Sequence, residues 1–170
     1  MMTEESCWIC LSGAEVHQPL QRPCSCPRYV HRTCLGRWQL QCAGRRDEFQ
    51  CRFCGATLPR LDETLTPPHL REVHVIPYIA VIYKGECFKV PIKPGTEGMA
   101  EFRARVKCLF GMSHDAEFHV SFECASPSGE ILNLDGMECF NAAATCATIS
   151  AAKRAVGEDA GFTWDERMTV

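Results

Sequence analysis

The feature that most constrains this chain is a run of paired metal-ligand side chains in its first third. Cysteine and one histidine recur as Cys7-x2-Cys10, Cys24-x-Cys26, His31-x2-Cys34 and Cys51-x2-Cys54. Two such side chains held close in sequence can grip one ion from a single tight turn, and structural zinc takes four Cys or His ligands in a tetrahedron. Four pairs therefore supply two complete sites. One pair is a weak signal; four in succession, with histidine in fifth place, are specific. The chain holds 13 cysteines in all, and its start, Met1 to Ser6, is polar and acidic with the first ligand already at Cys7. That leaves no room for a secretory leader, so the expected setting is intracellular, cytoplasmic or nuclear, where thiols stay reduced and bind metal in preference to forming disulfides.

The order of four cysteines, one histidine and three cysteines, together with Tyr29-Val30-His31-x2-Cys34-Leu35-x2-Trp38, resembles the RING-CH (RING-variant) zinc finger family over residues 7–54. The resemblance implies alternating pairs: Cys7, Cys10, His31 and Cys34 around one zinc, and Cys24, Cys26, Cys51 and Cys54 around the other. Interleaving of this kind makes a cross-brace, in which losing either ion releases segments on both sides of the other. Metal binding and folding then become one event, with a coupling of ~10–16 kcal/mol in zinc-finger peptides. So short a stretch could not otherwise bury enough apolar surface to overcome its chain entropy.

The same resemblance implies a ubiquitin-protein ligase or ligase subunit. Such fingers form no covalent intermediate, so no catalytic residue is expected; they hold a charged ubiquitin-conjugating enzyme in a shallow groove. The residues that match the groove here are Ile9 and Trp38, an aliphatic beside a tryptophan, which suits a small interface anchor. For Trp38 the competing expectation is a place in the finger's own core. Trp8 is expected to pack against the finger, and Cys42 to serve as a small apolar contact on a helix from Leu35 to about Cys42. Gly55 departs from the pattern, because many ligases place a basic side chain after the last ligand. Arg52 or Arg60 would have to replace it. The PHD finger shares the ligand order and carries an aromatic where Phe49 stands, so the alternatives are a PHD-like histone-tail reader or a non-catalytic zinc-binding adaptor. The single residue between Cys24 and Cys26, and Leu35-x2-Trp38, favour the RING variant.

Residues 1–62 hold 8 basic against 6 acidic side chains, and residues 63–170 hold 10 against 15. Neither half offers the basic face that phosphate contacts need, so no nucleic acid partner is expected. The longest apolar stretch, Val75 to Tyr83, contains Pro77 and is about half the roughly 20 residues of a membrane span.

The sequence divides into a finger at 1–58, a proline-marked linker at 59–70, an α+β domain at 71–155 and an acidic tail at 156–170. Within the third part, Val73–Tyr83 and Glu86–Ile92 flank Lys84-Gly85 as a hairpin. Thr96 is placed to cap a helix whose apolar positions are Met99, Phe102, Val106 and Leu109, with Gly111 to end it. Phe118, Val120 and Phe122 alternate, Ser126 to Gly129 turn, and Ile131 to Leu134 return. An alanine-rich helix from Phe140 to Arg154 follows. Strand, strand, helix, strand, strand is the order of a ubiquitin-like β-grasp, for which binding a substrate or partner is the expected role. Cys87, Cys108, Cys124, Cys139 and Cys146 show no metal spacing and read as small buried side chains. His114 and His119 lack catalytic partners. In the tail, Phe162 and Trp164 are candidates for a docking anchor.

Overall fold

The structure, a computed structural model, describes residues 5–126, 129–158 and the backbone of 167–169. The chain splits into two compact units, Met1–Pro67 and Pro68–Val170. Among the described residues no helix is long and apolar enough to cross a membrane.

The first unit has little regular structure. Strands β1 (Leu20–Gln21) and β2 (Val30–His31) pair antiparallel, with Leu20 opposite His31. Helix α1 (Arg32–Gln41) follows directly, and α2 (Arg46–Phe49) is a single turn. The apolar centre is small: Cys7, Val30, Leu35 and Leu58, with Trp8, Ile9 and Leu20 packed partly against it.

Residues 59–70 do not form the expected linker. Helix α3 (Leu61–Leu65) buries Leu61, Thr64 and Leu65. A Cβ placed on Gly36 of α1 would lie 2.9 Å from Leu65 Cδ2, so the missing side chain is what lets α3 approach so closely. Gln39, 1 % exposed, ties the two helices together. Its amide donates to the Glu48 carbonyl at 2.9 Å and the Pro59 carbonyl at 2.7 Å, and its oxygen accepts from the Thr64 hydroxyl at 2.8 Å. The Arg32 guanidinium donates to the carbonyls of Glu63 and Thr66. Leu58, Leu61 and Leu65, spaced three and four apart, were the overlooked signal.

In the second unit, β3 (Tyr78–Tyr83) and β4 (Glu86–Pro91) form the expected hairpin, closed by Tyr83 opposite Glu86. Lys84 and Gly85 take φ of 48° and 84°, as the two-residue hairpin turn requires. The strand begins at Tyr78 rather than Val73. Helix α4 (Thr96–Leu109) is preceded by Gly95 at φ 98°, so Thr96 is its first residue and not its cap. It ends as expected: Gly111 has φ 61°, and Met112 N–H donates to the Lys107 carbonyl at 2.9 Å, a Schellman closure. Phe102 and Val106 are buried, whereas Leu109 is 40 % exposed.

Strands β5 (Ser121–Ala125) and β6 (Ile131–Asp135) form the second hairpin, and α5 (Phe140–Ala155) buries six alanines beside Phe140 and Cys146. Phe102, Phe122 and Phe140 then meet, with ring centroids 5.3 to 6.4 Å apart. Cys124, Cys139 and Cys146 are buried as expected, but Cys87 and Cys108 are exposed. The exposed His119 lies 2.9 Å from Asp135.

The tail expected at 156–170 contributes a strand, β7 (Arg167–Thr169), parallel to β3 and antiparallel to β5. The sheet order is β4-β3-β7-β5-β6, the mixed order of a β-grasp. Phe162 and Trp164 lie outside the described residues.

Candidate metal centre and aromatic hollow

Two knuckles of the same build carry four of the eight ligands. In the first, Leu11 N–H donates to the Cys7 carbonyl and Cys7 N–H to the Ser12 carbonyl, both at 2.8 Å; in the second, Gly55 N–H donates to the Cys51 carbonyl and Cys51 N–H to the Ala56 carbonyl, again at 2.8 Å. The residue after each pair must turn left-handed, with φ 64° at Leu11 and 73° at Gly55. Glycine does this freely, while a side chain costs roughly 1–2 kcal/mol. Backbone geometry therefore explains Gly55.

Cys7, Cys10, His31 and Cys34 bring their ligand atoms within 4.8 Å of one another, and so do Cys24, Cys26, Cys51 and Cys54. For zinc bonds of about 2.3 Å to sulfur and about 2.0 Å to nitrogen, a tetrahedral edge from S to N is about 3.6 Å. The His31 Nδ1 lies 3.3 Å from Cys10 Sγ and 3.8 Å from Cys34 Sγ. All the cysteines are free thiols. On its other side His31 Nε2 is 3.0 Å from the Gly13 carbonyl. A carbonyl can only accept, so Nε2 carries the proton and Nδ1 is left with its lone pair for a metal. The residues fit two zinc ions, and the pairs interleave as a cross-brace.

The thiols are electrostatically uneven. The Ser12 backbone N–H draws Cys10 down to about 6, and the Ala56 backbone N–H draws Cys54 down to about 7. Cys26 is pushed up to about 12, first by the Cys54 sulfur, and Cys34 to about 12, first by burial. In the second set the Cys54 sulfur thus holds the proton on Cys26, and in the first burial, ahead of the Cys10 sulfur, holds it on Cys34. A divalent cation among them supplies the charge that lets every sulfur ionise.

Beside the second cluster is a hollow lined by three aromatic side chains. Trp8 stacks edge-on against both Trp38 and Phe53, each at 5.4 Å between centroids. Two cations flank the rings: the Arg28 guanidinium is 4.1 Å from the Phe53 centroid, and that of Arg52 is 5.3 Å from Trp38. Trp38 is half-buried and lines this hollow, while the half-buried Ile9 packs on the Cys7 and Leu35 core instead. Cys42 is a buried apolar contact, as expected. Sequence reasoning did not join Trp8 and Phe53 to Trp38, because the three sit on separate knuckles and one helix, and only the cross-brace unites them. Of the two substitutes named for a basic side chain at Gly55, Arg60 is turned to Asp62 at 3.0 Å and Arg52 lies over the rings. Arg46 is nearer, its Nη2 being 3.6 Å from where a Gly55 Cβ would stand.

An interleaved pair of four-ligand clusters defines the first unit as a cross-braced zinc finger. A family model described as the RING-variant domain matches residues 7–54, so the finger is of the RING-variant type. No curated protein matches the chain. Among solved structures, a cryo-EM structure of an AtNBR1-PB1 filament (L-type) has 16 % identity and a TM-score of 0.33, covering 57 % of this chain and 97 % of that one. The AtNBR1-PB1 domain itself has 16 % identity and a TM-score of 0.27, covering 55 % of this chain and 93 % of that one. Scores this low leave the fold of the second unit to be defined by its sheet order.

Proposed function

We propose that the chain is a RING-CH-type ubiquitin-protein ligase or ligase subunit, whose finger recruits a ubiquitin-conjugating enzyme and whose second unit binds a substrate or partner. The observation that supports this best is the half-exposed Trp38 in an aromatic hollow built directly on the second metal cluster, with Cys24, Cys26 and Cys51 in its wall. Zinc supplies rigidity here and no bond-making chemistry. Trp38 is the groove's central anchor, and Ile9 acts on it through the core of Cys7 and Leu35 on which it packs. Arg46 supplies the cation beside Gly55.

A histone-tail reader would need the hollow to accept a lysine-rich peptide. The ring faces already carry the guanidinium groups of Arg28 and Arg52, and like charge repels a second cation. The charge pattern favours an acidic or neutral partner loop.

The test is a titration of labelled conjugating enzymes, taken as a panel, into wild type and Trp38→Ala at equal zinc content. Truncating a central anchor costs ~2 kcal/mol, about thirtyfold in affinity. Ile9→Ala should weaken binding less while leaving both ions in place. Unchanged affinity for both variants across the panel would refute the reading and leave the zinc adaptor.

A further inference from the structure

All eight basic residues of the first unit, among them Arg28, Arg46 and Arg52, are arginine, and residues 1–67 contain no lysine. The distinction matters for a finger that holds an activated thioester. A guanidinium keeps its proton at every physiological pH, whereas a lysine can present a neutral amine to a carbonyl carbon. No side-chain amine of the finger can therefore compete for a thioester held there. The five lysines, Lys84, Lys89, Lys93, Lys107 and Lys153, all belong to the second unit.

These five are not equally free. Lys89 donates to the Tyr78 hydroxyl at 3.2 Å and lies over its ring. Lys93 pairs with Glu101 at 3.7 Å, and Lys107 donates to the His114 carbonyl at 2.5 Å. Lys153 is half-buried in the last turn of α5. Lys84 is exposed at the tip of the β3–β4 hairpin, and among the described residues its ammonium touches only the Tyr83 ring, at 5.0 Å.

We propose that Lys84 is the chain's own acceptor site for ubiquitin, and that the lysine-free finger confines self-modification to the second unit. This rests on the ligase reading above. In the step, the neutral Lys84 Nζ attacks the thioester carbonyl; an N–C isopeptide bond forms, the C–S bond breaks, and the amine's surplus proton leaves with the conjugating enzyme's thiol. No electrons change hands.

The experiment uses the full zinc-loaded chain with a panel of charged conjugating enzymes, and maps modified amines by mass spectrometry. Lys84 should carry most of the first ubiquitin added. Lys84→Arg should cut self-modification several-fold while leaving discharge to free lysine unchanged. Modification chiefly at another amine, the α-amine included, or an undiminished signal in Lys84→Arg, would overturn the proposal. Failure of all discharge, to free lysine as well as to the chain, would overturn the ligase reading and this site with it. Footprinting with a small amine-reactive ester reads Lys84 without any ligation: it should be acylated fastest, and a rank below Lys89 or Lys93 would overturn the argument from exposure.

Discussion

Around Leu35 the finger buries Cys7, Val30 and Leu58, whereas around Phe122 the second unit buries two more phenylalanines and a helix face of alanines. The difference shows what each amount of apolar surface can support. Burial stabilises by roughly 25 cal/mol per Å², so this cluster, even with Leu40, Leu61 and Leu65 buried elsewhere in the unit, cannot offset the entropy of ordering some sixty residues, at about 1–2 kcal/mol for each backbone residue. Metal coordination has to supply the rest. The second unit has no metal cluster among its described residues and stands on ring packing and a five-stranded sheet.

Chelation breaks the comparison most sharply. Removing zinc, or changing Cys24 to Ser, should abolish amide-exchange protection in the finger, where coupling of ~10–16 kcal/mol is at stake, and leave β3 to β6 protected. Elemental analysis should give two zinc ions per chain beforehand. Loss of protection in both units would show a single cooperative body. Acid should act like the chelator, because the ligand sulfurs must be ionised to hold the metal and protons compete for them as pH falls. The converse substitution is Phe122→Ala, which should cost ~3–5 kcal/mol and melt the second unit with both ions retained. Zinc loss in that variant would contradict the division.

Two smaller effects sharpen the picture within the finger. Gln39→Ala takes the amide donor from the carbonyls of Glu48 and Pro59, at ~1–3 kcal/mol, while the Thr64 hydroxyl can still donate to the Leu61 carbonyl at 3.0 Å. Calorimetry should show a lower Tm, with protection lost first at residues 61–65. Leu11→Gly relieves the left-handed strain that Gly55 already avoids, and should stabilise by ~1 kcal/mol. No gain in zinc affinity or Tm would mean that the two knuckles are not energetically alike.

The zinc ligands were legible because their chemistry is written in local spacing, and so was the Lys84-Gly85 turn, whose backbone demands are met by two adjacent residues. Helix α3 was obscured by Pro59 and Pro67 at its borders, although Leu58, Leu61 and Leu65 carried its period. The strand Arg167–Thr169 has no alternation to announce it. It is a strand because β3 and β5 lie on either side, and such pairing is a property of distant partners rather than of three residues. Trp38 could be singled out by resemblance, but its company with Trp8 and Phe53 depends on the interleaving of both metal clusters.

The position of β7 bears on when the second unit can become itself. The two hairpins do not hydrogen-bond to each other; β7 stands between them and pairs with both. On a ribosome, which releases the chain from its N-terminal end, the finger can bind its ions while each hairpin is still emerging. The sheet stays in two halves, each with an edge facing water, until residues 167–169 arrive as the key strip. Pairing β3 with β7 closes a loop that spans nearly the whole unit, the kind of distant contact that slows folding. During that interval the inner edges of β3 and β5 are open to strands from other chains.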